Sequence, residues 1–441
     1  MESARGLGVT KTKTPQHGAA VVGLGAVTAF GSSAEDLRAG LRSGRRGIAA
    51  ARQLEVEGHR TELASEVDDR SADEALMKLA RADRFAVTAA REAWHQAFGT
   101  GDGPQAVPSM HRVGVFFGGS TAGMAESEEF FARVLATKSG PSRLRLLESQ
   151  QLNGPGDAVA RDLGVAGPVE SLSSACASGA LALGAALDAL RRGEIDVAVA
   201  GGSDALCQLT YAGFNSLRAV DPRPPRPFRA DREGLNLGEG AGALVLVRAD
   251  HPMLGDHPPL AWLTGYGASC DAHHMTAPHP EGRGAEQAMR MALADGDLEP
   301  SSVGFANAHG TGTPHNDSAE ASAMARLVGA CRVPVTSNKG AIGHLLGSAG
   351  AVEAVATVLA LQDGAVQPTC ADEPERGADP ELDVDLVLGG PRALETGRDV
   401  GLSSSFAFGG ANGCLSFRAA PQRDNGGESL GDEPSALEDR Q

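Results

Sequence analysis

The stretch GPVESLSSACASGALALGAALDALRR, residues 167–192, decides how this chain is organised. Its pattern predicts a short apolar strand, a tight turn of small residues and then a long helix, with Cys176 where the turn becomes the helix. The helix is rich in Ala, Gly and Leu and carries almost no charge before Asp188, which is typical of a helix buried on nearly all sides. Its small side chains favour close packing against a sheet or another backbone.

Cys176 is the first candidate nucleophile. A cysteine on the first turn of a helix meets unpaired backbone N–H groups and the positive end of the helix dipole, and both favour the thiolate over the thiol. The alternative is a small buried thiol, because free cysteine is among the most buried residue types. The turn Ser-Ser-Ala-Cys-Ala-Ser-Gly favours the nucleophile but does not decide between the two interpretations.

Composition and charge narrow the class of protein. The 441 residues include 58 Gly and only 4% aromatic residues, which predicts two or three globular domains with cores of small side chains. A formal net charge of −17 argues against nucleic acid or an anionic membrane as the main partner. No apolar run reaches the roughly 18 residues of a membrane span, and residues 1–17 lack the apolar core of a secretory signal. The six cysteines lie far apart without a CxxC pair, so we expect reduced thiols and a cytoplasmic location.

Strand and helix patterns alternate along the chain and restart near its middle. Apolar runs predict strands at residues 19–25, 113–117, 195–200, 241–247, 260–266, 303–308 and 333–337. Helical spacing predicts helices at residues 34–41, 72–98, 285–294, 318–328 and 344–361. Because residues 333–361 repeat the strand, small-residue turn and buried helix of the opening stretch, we predict an α/β architecture of two similar halves.

These patterns divide the chain into four predicted segments. A disordered N-terminal tail covers residues 1–18, and an N-terminal half with the nucleophile covers 19–250. A C-terminal half with a pair of histidines covers 251–418 and begins in a linker rich in Pro, Asp and His. The acidic segment 419–441 has almost no apolar residues and is predicted to be a disordered tail.

Two turns in the second half supply further candidate groups. His309 lies in NAHGTGTP, where glycines hold a tight loop after a strand; the alternative is a structural or surface histidine. His344 follows Lys339 in KGAIGH at the start of a predicted buried helix; the alternative is a buried histidine whose hydrogen bonds are satisfied. Neither histidine has the HxxxH or HExxH spacing of a zinc site, so we predict no metal centre. A cysteine, two histidines and a buried lysine suit thioester chemistry, in which imidazoles polarise a carbonyl as negative charge develops.

With these motifs the chain resembles the β-ketoacyl-acyl carrier protein synthases of the elongating, Cys-His-His type, in the thiolase superfamily. The resemblance runs from about residue 19 to 418 and rests on SSACASG, GGSDA, RPF…DREG…LGEGAG, SCDAHHMTAP, NAHGTGTP, KGAIGHLLGSAG and SFAFGGAN, in that order. It implies a thiolase-like five-layered αβαβα fold of two related halves. It also implies a homodimer, or a heterodimer with a ketosynthase-like subunit.

The resemblance further implies an acyltransferase of fatty acid, polyketide or aryl-polyene synthesis. No cofactor is expected, because an acyl carrier protein presents the substrates on its phosphopantetheine. Cys176 would accept the acyl chain, and His309 and His344 would bind the malonyl thioester, whose decarboxylation gives an enolate that attacks the acyl-Cys176 carbonyl. The backbone N–H groups of Cys176 and Phe408 match the family's oxyanion hole, and Phe408 also matches a gate.

The supporting positions follow from the same resemblance. Lys339 would orient the His344 turn and pair with Glu353, and Thr311 and Thr313 match the pantetheine contacts. The positions that support the gating loops correspond to Asp271, His274, Glu320 and Asn412. Some relatives hold a monovalent cation near the equivalents of Asn307, Glu353 and Ser403.

Several residues depart from the family's usual ones. Ala407 replaces Gly beside the gate, Ser404 replaces Asn, Ala411 replaces Thr and Arg229 replaces Asp. Where apolar residues or Gly often line the acyl pocket, this chain has Ser120 and Thr121. That pair, with the context LCQLTYAGFNSL at 206–217, favours a specialised substrate, such as a polyketide or aryl polyene, over a plain saturated chain.

Carrier proteins are acidic, so docking needs a local basic patch despite the negative net charge. The candidates are Lys78, Arg81, Arg84, Arg223 and Arg226. The alternative is that these are ordinary solvated surface charges.

Three alternatives to an elongating enzyme share this resemblance. A degradative thiolase needs a second catalytic cysteine near the end of the chain, and Cys414 in FAFGGANGC lies beyond the glycine turn. A starter-unit synthase of the Cys-His-Asn type has Asn where His344 stands. A non-catalytic chain-length subunit typically lacks the cysteine, yet this chain could still require such a subunit as its partner.

Overall fold

The structure is a computed structural model that describes residues 17–69, 73–99, 109–137, 144–255, 259–329, 333–369 and 377–421. Almost all of the two predicted tails, and Cys331 and Cys370, therefore lie outside the described residues. Within the described residues, no helix is both long enough and apolar enough to cross a bilayer.

The described residues form strands and helices that alternate in chain order. The strands are β1 Ala19–Val27, β2 Ala49–Ala50, β3 Leu63–Ala64, β4 Val113–Gly118, β5 Val169–Leu172, β6 Val197–Asp204, β7 Gly240–Arg248, β8 Ala261–Cys270, β9 Val303–Asn307, β10 Pro334–Thr336, β11 Ala365–Val366, β12 Asp385–Leu386, β13 Arg392–Ala393, β14 Val400–Phe406 and β15 Ala411–Ala419. The helices are α1 Ala34–Arg42, α2 Arg81–Phe98, α3 Met124–Thr137, α4 Gly154–Leu163, α5 Ser178–Arg191, α6 Gln208–Ser216, α7 Arg283–Asp295, α8 Pro314–Val328, α9 Lys339–Ile342 and α10 Ala349–Asp363.

One hydrogen-bonded sheet contains two copies of the same strand arrangement. Its order is β12-β10-β9-β14-β15-β8-β1-β7-β6-β4-β5. The order β1-β7-β6-β4-β5 has two antiparallel and then two parallel pairings, and β8-β15-β14-β9-β10 repeats that sequence of pairings. The copies join where β1 pairs antiparallel with β8. This repetition confirms the predicted α/β fold of two related halves.

Helices α5 and α10 form the middle layer, in contact with strands of both halves. Helix α2 covers the outer face of the first half, and α7 covers that of the second, which gives the five layers. Glycines set the spacing of the middle layer, as the small-residue pattern predicted. A Cβ added at Gly179 would lie 2.8 Å from the backbone nitrogen of Ala351, and one at Gly350 would lie 2.8 Å from that of Ala180.

Three predicted boundaries were wrong, and each has a local backbone explanation. Helix α2 begins at Arg81 and not near residue 72, because Leu79 is extended after a short 3₁₀ turn. Strand β6 continues past residue 200, where the predicted strand ends, to Asp204, since the glycine at position 201 lets the strand lie against the Gly242 carbonyl. Helix α10 begins at Ala349, so the predicted helix start near residue 344 is a loop.

Candidate active site

Cys176 lies in a tight turn between β5 and α5. The preceding residue, Ala175, has a φ of 46°, a left-handed conformation that is costly for a residue with a Cβ and is concentrated at functional sites. The hydroxyl of Ser178 holds the turn: it accepts a hydrogen bond from the Ser174 N–H at 2.8 Å and donates one to the Ala175 carbonyl at 2.6 Å. Helix α5 begins at Ser178, so Cys176 precedes the helix and does not lie on its first turn.

The predicted preference for the thiolate was wrong. Burial raises the pKa of Cys176 to about 11, and the Lys339 ammonium together with backbone N–H groups of Phe408 and of Cys176 itself only partly oppose that rise. The dominant effect is desolvation, because an anion loses water in this enclosed turn. The same two N–H groups contact the sulfur, so they lie where the predicted oxyanion hole would need them.

Two imidazoles lie together at the cavity that Cys176 lines. The rings of His309 and His344 have centroids 5.4 Å apart and stand at 86° to each other. Burial, reinforced by the Lys339 charge, holds the pKa of both histidines well below 6.5, so both are neutral. The Nδ1 of His344 accepts a hydrogen bond from the Leu346 N–H at 3.1 Å, which leaves the proton on Nε2.

The backbone of the His309 loop is held by a buried carboxylate. Glu320 accepts hydrogen bonds from the N–H groups of His309 and Gly310, each at 2.8 Å. Burial raises the pKa of Glu320 to about 7 even though these bonds oppose the rise. Glu320 therefore supports the loop that carries His309, and it does not line the cavity.

Lys339 and Glu353 form a buried ion pair behind the histidines, as predicted. Burial raises the pKa of Glu353 to about 7 although Lys339 opposes the rise. Glu353 Oε2, Asn307 Oδ1 and Ser403 Oγ are among the buried oxygens that have no hydrogen-bond partner within the described residues. Asn307 and Ser403 are paired across β9 and β14, and the Asn307 amide donates to the Glu353 carbonyl at 3.0 Å. These oxygens fit the monovalent cation that the resemblance implies, because hard cations prefer oxygen ligands.

Within the described residues there is no group of three or more His, Cys, Asp or Glu side chains able to hold a metal ion. The expected absence of a metal centre stays a prediction.

The turn between β14 and β15 carries Phe408. Its ring stacks on that of Phe214 from α6, with centroids 5.5 Å apart and planes 16° apart. The next residue, Gly409, has a φ of 86° and donates to the Met275 carbonyl at 2.7 Å. The positive φ angles of Gly409 and Gly410, together with the stacked Phe408 ring, form a structure suited to a gate. The sequence did not single out Phe214 as part of it.

The predicted supports of the gating loops lie beside that turn. The Asn412 amide donates to Asp271 Oδ1 at 2.9 Å, and the other Asp271 oxygen accepts from the His279 N–H at 2.9 Å. His274 is exposed, and its Nδ1 accepts a hydrogen bond from the Thr276 N–H at 3.1 Å. Asp271 and Asn412 therefore tie the Phe408 turn to the 271–279 loop, whereas His274 orders only its own loop.

A cavity of about 630 Å³ leads from the surface to the nucleophile. Cys176, His309, His344 and Phe408 are among the residues that line it. Thr311 and Thr313 also line it, and their hydroxyls are 2.9 Å apart. The cavity is also lined by basic side chains that the sequence did not single out: Arg60, Arg218, Arg232 and His315.

Ser120 and Thr121 do not line this cavity. The hydroxyls of both donate to the buried carboxylate of Asp204, at 2.7 and 3.0 Å. Their place in a separate acyl pocket stays a prediction. The GGSDA motif, which ends one residue after Asp204, was the signal that could have identified this carboxylate.

Most of the predicted docking patch is engaged in ion pairs. Arg81 pairs with Glu239 and Asp69, Arg84 pairs with Asp69, and all of these side chains are at least four-fifths buried. Arg226 is buried against Asp221, and the half-exposed Arg223 lies within 3.2 Å of Glu233. Lys78 is exposed. The arginines of that patch, Arg223 apart, are structural.

The residues that depart from the family pattern take part in local packing. The Ala407 N–H donates to the Ala411 carbonyl at 2.8 Å and closes the Phe408 turn. The Ser404 hydroxyl contacts the buried thiol of Cys414 at 3.8 Å. Arg229 is buried. Cys414 lies on β15 away from the cavity lining, in agreement with the argument against a thiolase.

Comparisons with known proteins agree with this geometry. The family model for the β-ketoacyl synthase N-terminal domain matches residues 18–251, and that for the C-terminal domain matches residues 260–372. The 3-oxoacyl-[acyl-carrier-protein] synthase 2 of Synechocystis sp. is 36% identical over 416 residues, which cover 90% of this chain and 97% of that relative.

Two solved structures illustrate the structural likeness. The ishigamide ketosynthase/chain length factor matches with a TM-score of 0.83 and 30% identity, covering 92% of this chain and 99% of that one. A type II PKS acyl-carrier protein in complex with its ketosynthase bound to the hexaketide matches with a TM-score of 0.80 and 27% identity, covering 92% of this chain and 100% of that one. The chain therefore belongs to the β-ketoacyl synthase family, as a KAS II-like acyltransferase that catalyses condensation in fatty acid or polyketide synthesis.

Proposed function

We propose that Cys176 carries the growing acyl chain and that His309 and His344 bind the malonyl thioester in a decarboxylative Claisen condensation. The observation that carries this assignment is the cavity itself, where the thiol and two orthogonal neutral imidazoles from the opposite half of the molecule share one lining. No bound cofactor is needed, because both carbonyl groups are activated as thioesters.

In the first step the Cys176 sulfur attacks the carbonyl of the carrier-bound acyl thioester. The thiol proton passes to the pantetheine sulfur, which leaves as a thiol. The N–H groups of Cys176 and Phe408, which contact the sulfur, would donate to the oxyanion of the tetrahedral intermediate.

In the second step the malonyl thioester loses CO₂, and the electron pair of the broken bond moves to the thioester oxygen as an enolate. His344 donates to that oxygen from Nε2, and His309, whose ring centroid lies 5.4 Å from that of His344, is the second donor. Donors aimed at developing charge stabilise the enolate more than the ground-state thioester. The enolate carbon then attacks the acyl-Cys176 carbonyl, and the Cys176 thiolate leaves and regains a proton.

Intact-protein mass spectrometry with a panel of acyl-carrier proteins tests this assignment. We expect a single acyl adduct on Cys176, its release on addition of malonyl-carrier protein, and the appearance of a β-ketoacyl-carrier protein two carbons longer. A Cys176→Ala protein that still extended acyl chains at the original rate would overturn the assignment. The acyl group that loads fastest would identify the substrate class.

We also propose that the carrier protein docks at the cavity mouth around Arg218. This arginine is exposed with a φ of 54°, and among the described residues no acidic side chain pairs with it. Arg218→Glu should raise the KM for acyl-carrier protein in a salt-dependent way. Arg192→Glu, at the far end of α5 from Cys176, is the matched control and should leave that KM unchanged. Equal KM values at low salt would place the docking surface elsewhere.

Two further expectations from the resemblance remain proposals. A monovalent cation held by Asn307, Glu353 and Ser403 would offset the buried Glu353 charge. Potassium should then raise the thermal midpoint above that in tetramethylammonium, and equal midpoints would count against the site. A cytoplasmic location is consistent with the free thiols of the four described cysteines, and fractionation of cells that make the protein would test it.

A second chain of the same fold should cover the free edge of β5, where Val169 is exposed. That chain is either a copy of this one or a ketosynthase-like subunit.

A further inference from the structure

Asp204 is a buried carboxylate that none of the roles above uses. It ends β6, is 0% exposed, and no cationic side chain among the described residues pairs with it. Instead it accepts hydrogen bonds from the backbone N–H groups of Ser120, Thr121 and Ala122 at 2.8–3.1 Å, in addition to the hydroxyls of the first two. So many donors around one carboxylate hold the anion in place without a counter-ion.

The last donor to Asp204 comes from the other half of the molecule. The Gly347 N–H lies 2.6 Å from Asp204 Oδ2. A side chain at position 347 would not fit, because its Cβ would lie 2.7 Å from that same oxygen and 2.8 Å from the Ser120 nitrogen. The carboxylate of the first half is therefore in direct contact with the turn that follows His344.

That turn sets the proton position on His344. Leu346, the residue before Gly347, has a φ of 57°, a left-handed conformation that must be imposed by its surroundings. In this conformation the Leu346 N–H reaches the Nδ1 of His344. The backbone of His344 is fixed separately, by hydrogen bonds to Asn236 and from Gly238 at 2.8 and 2.9 Å. The Asp204 contact thus affects the tautomer of the His344 ring and does not determine the position of the His344 backbone.

We infer that Asp204 is a positioning residue of the condensation: by anchoring Gly347 it holds Leu346 left-handed and fixes the His344 tautomer that donates from Nε2. The inference rests on the roles proposed for Cys176 and His344. Its second consequence is electrostatic. The Lys339 charge lowers the pKa of the Cys176 thiol, and the Asp204 charge raises it.

Asp204→Asn tests both consequences in the purified protein. The amide that replaces the carboxylate would present an NH₂ group to N–H groups that need an acceptor. We therefore expect the hydrogen bond between residue 204 and the Gly347 N–H to be lost. We expect the kcat for decarboxylation of malonyl-carrier protein to fall at least about tenfold, toward the 10²–10³-fold typical of a lost oxyanion donor, with KM little changed. The thiol pKa should drop at the same time, so iodoacetamide should alkylate Cys176 faster at pH 8. A residue with a purely structural role would not make the thiol more reactive.

Two further variants separate these effects from a loss of folding. Gly347→Ala breaks the tether but keeps the Asp204 charge, so it should slow decarboxylation and leave the pH profile of alkylation unchanged. Glu92→Gln is the matched control, since that partly buried carboxylate accepts hydrogen bonds from the N–H groups of Ala26 and Ala34 at 3.0 and 2.8 Å and does not line the cavity. Glu92→Gln should lower the thermal midpoint of unfolding. It should leave the ratio of the decarboxylation rate to the Cys176 alkylation rate unchanged.

The inference is overturned if Gly347→Ala decarboxylates at the normal rate, or if Asp204→Asn slows acylation and decarboxylation equally with an unchanged alkylation profile. Failure of the unaltered protein to decarboxylate malonyl-carrier protein would instead overturn the role proposed for the histidines, and this inference with it. Should Asp204→Asn not fold, the rate of Gly347→Ala decides the matter.

Discussion

At the scale of single residues, burial keeps the thiol and the two imidazoles of the site neutral. Burial raises the pKa of Cys176 to about 11 and, with Lys339, keeps the pKa of His309 and His344 well below 6.5. A neutral imidazole is a weak donor to a thioester carbonyl and a stronger one to an enolate. Discrimination between the ground state and the transition state therefore follows from burial.

This neutrality predicts the pH profile of decarboxylation. A histidine whose pKa is lowered stays neutral down to that lowered pKa, so protonation should not reduce the rate as the pH falls from 8 through 6.5. We expect a flat profile of kcat for malonyl-carrier protein decarboxylation over that interval, measured as CO₂ release. An inflection near pH 6.5 would mean that the imidazoles are solvated.

The chemistry-bearing residues were predictable because short, glycine-rich motifs surround them. SSACASG, NAHGTGTP and KGAIGH drew attention to Cys176, His309 and His344, which line one cavity, and the family resemblance implied the Lys339–Glu353 ion pair. The acidity of the thiol was not predictable, because it depends on how far the turn is buried. The partners of Arg81 were equally hidden, since Glu239 lies 158 positions away in the sequence.

At the scale of elements, the crossing of α5 and α10 places the nucleophile of one half opposite the histidines of the other. The crossing is close because each helix has a glycine at the contact. The sequence predicted the small-residue helix of 167–192, yet it did not predict that α10 begins five residues after His344. The left-handed Leu346 and the contact with Asp204 end the loop there, and both are tertiary features.

Gly179→Ala tests the crossing. The new Cβ would lie 2.8 Å from the Ala351 nitrogen and 3.1 Å from the Gly347 carbonyl oxygen, and backbone atoms cannot yield cheaply. We expect a loss of about 1–3 kcal/mol in the free energy of unfolding, measured by denaturant titration.

Gly213→Ala is the matched control for that variant. Gly213 also lies in a helix, α6, and an added Cβ there would meet nothing within 4 Å. The free energy of unfolding should stay the same or rise by up to about 1 kcal/mol, because alanine lowers the conformational entropy of the unfolded chain. Equal losses in the two variants would show that the close crossing does not limit stability.

At the scale of the whole molecule, the two halves contribute different residues to one site. The first half carries Cys176 and Asp204, and the second carries both histidines and the Phe408 turn. Besides the β1–β8 pairing, a bridge between Leu237 and His344 joins the halves beside the cavity. The alternation of strand and helix patterns in the sequence predicted two halves. The contacts between the halves could not be predicted from that pattern, because they join residues that are far apart in the sequence.

One outer edge of the sheet, strand β5, bears on assembly. Strand β5 ends the first half, pairs only with β4 among the described residues, and exposes 37% of Val169. Helix α3 of the same half exposes 53% of Phe131 and 78% of Leu135. An uncovered strand edge and exposed apolar side chains are each an aggregation hazard unless another chain covers them.

Val169→Glu should therefore break the assembly. A charge on the edge strand opposes pairing with a second edge, so the species in solution should fall from twice 45.0 kDa to 45.0 kDa by light scattering. Met291→Glu is the matched control, because Met291 is an exposed apolar residue on α7 in the outer layer of the other half, and it should leave the mass unchanged. If the unaltered chain is already 45.0 kDa, a copy of itself is not what covers β5, and co-expression with a ketosynthase-like subunit becomes the decisive measurement. If Val169→Glu stays at the larger mass, the contact lies elsewhere, because a buried glutamate at a strand-to-strand interface would cost several kcal/mol without a partner.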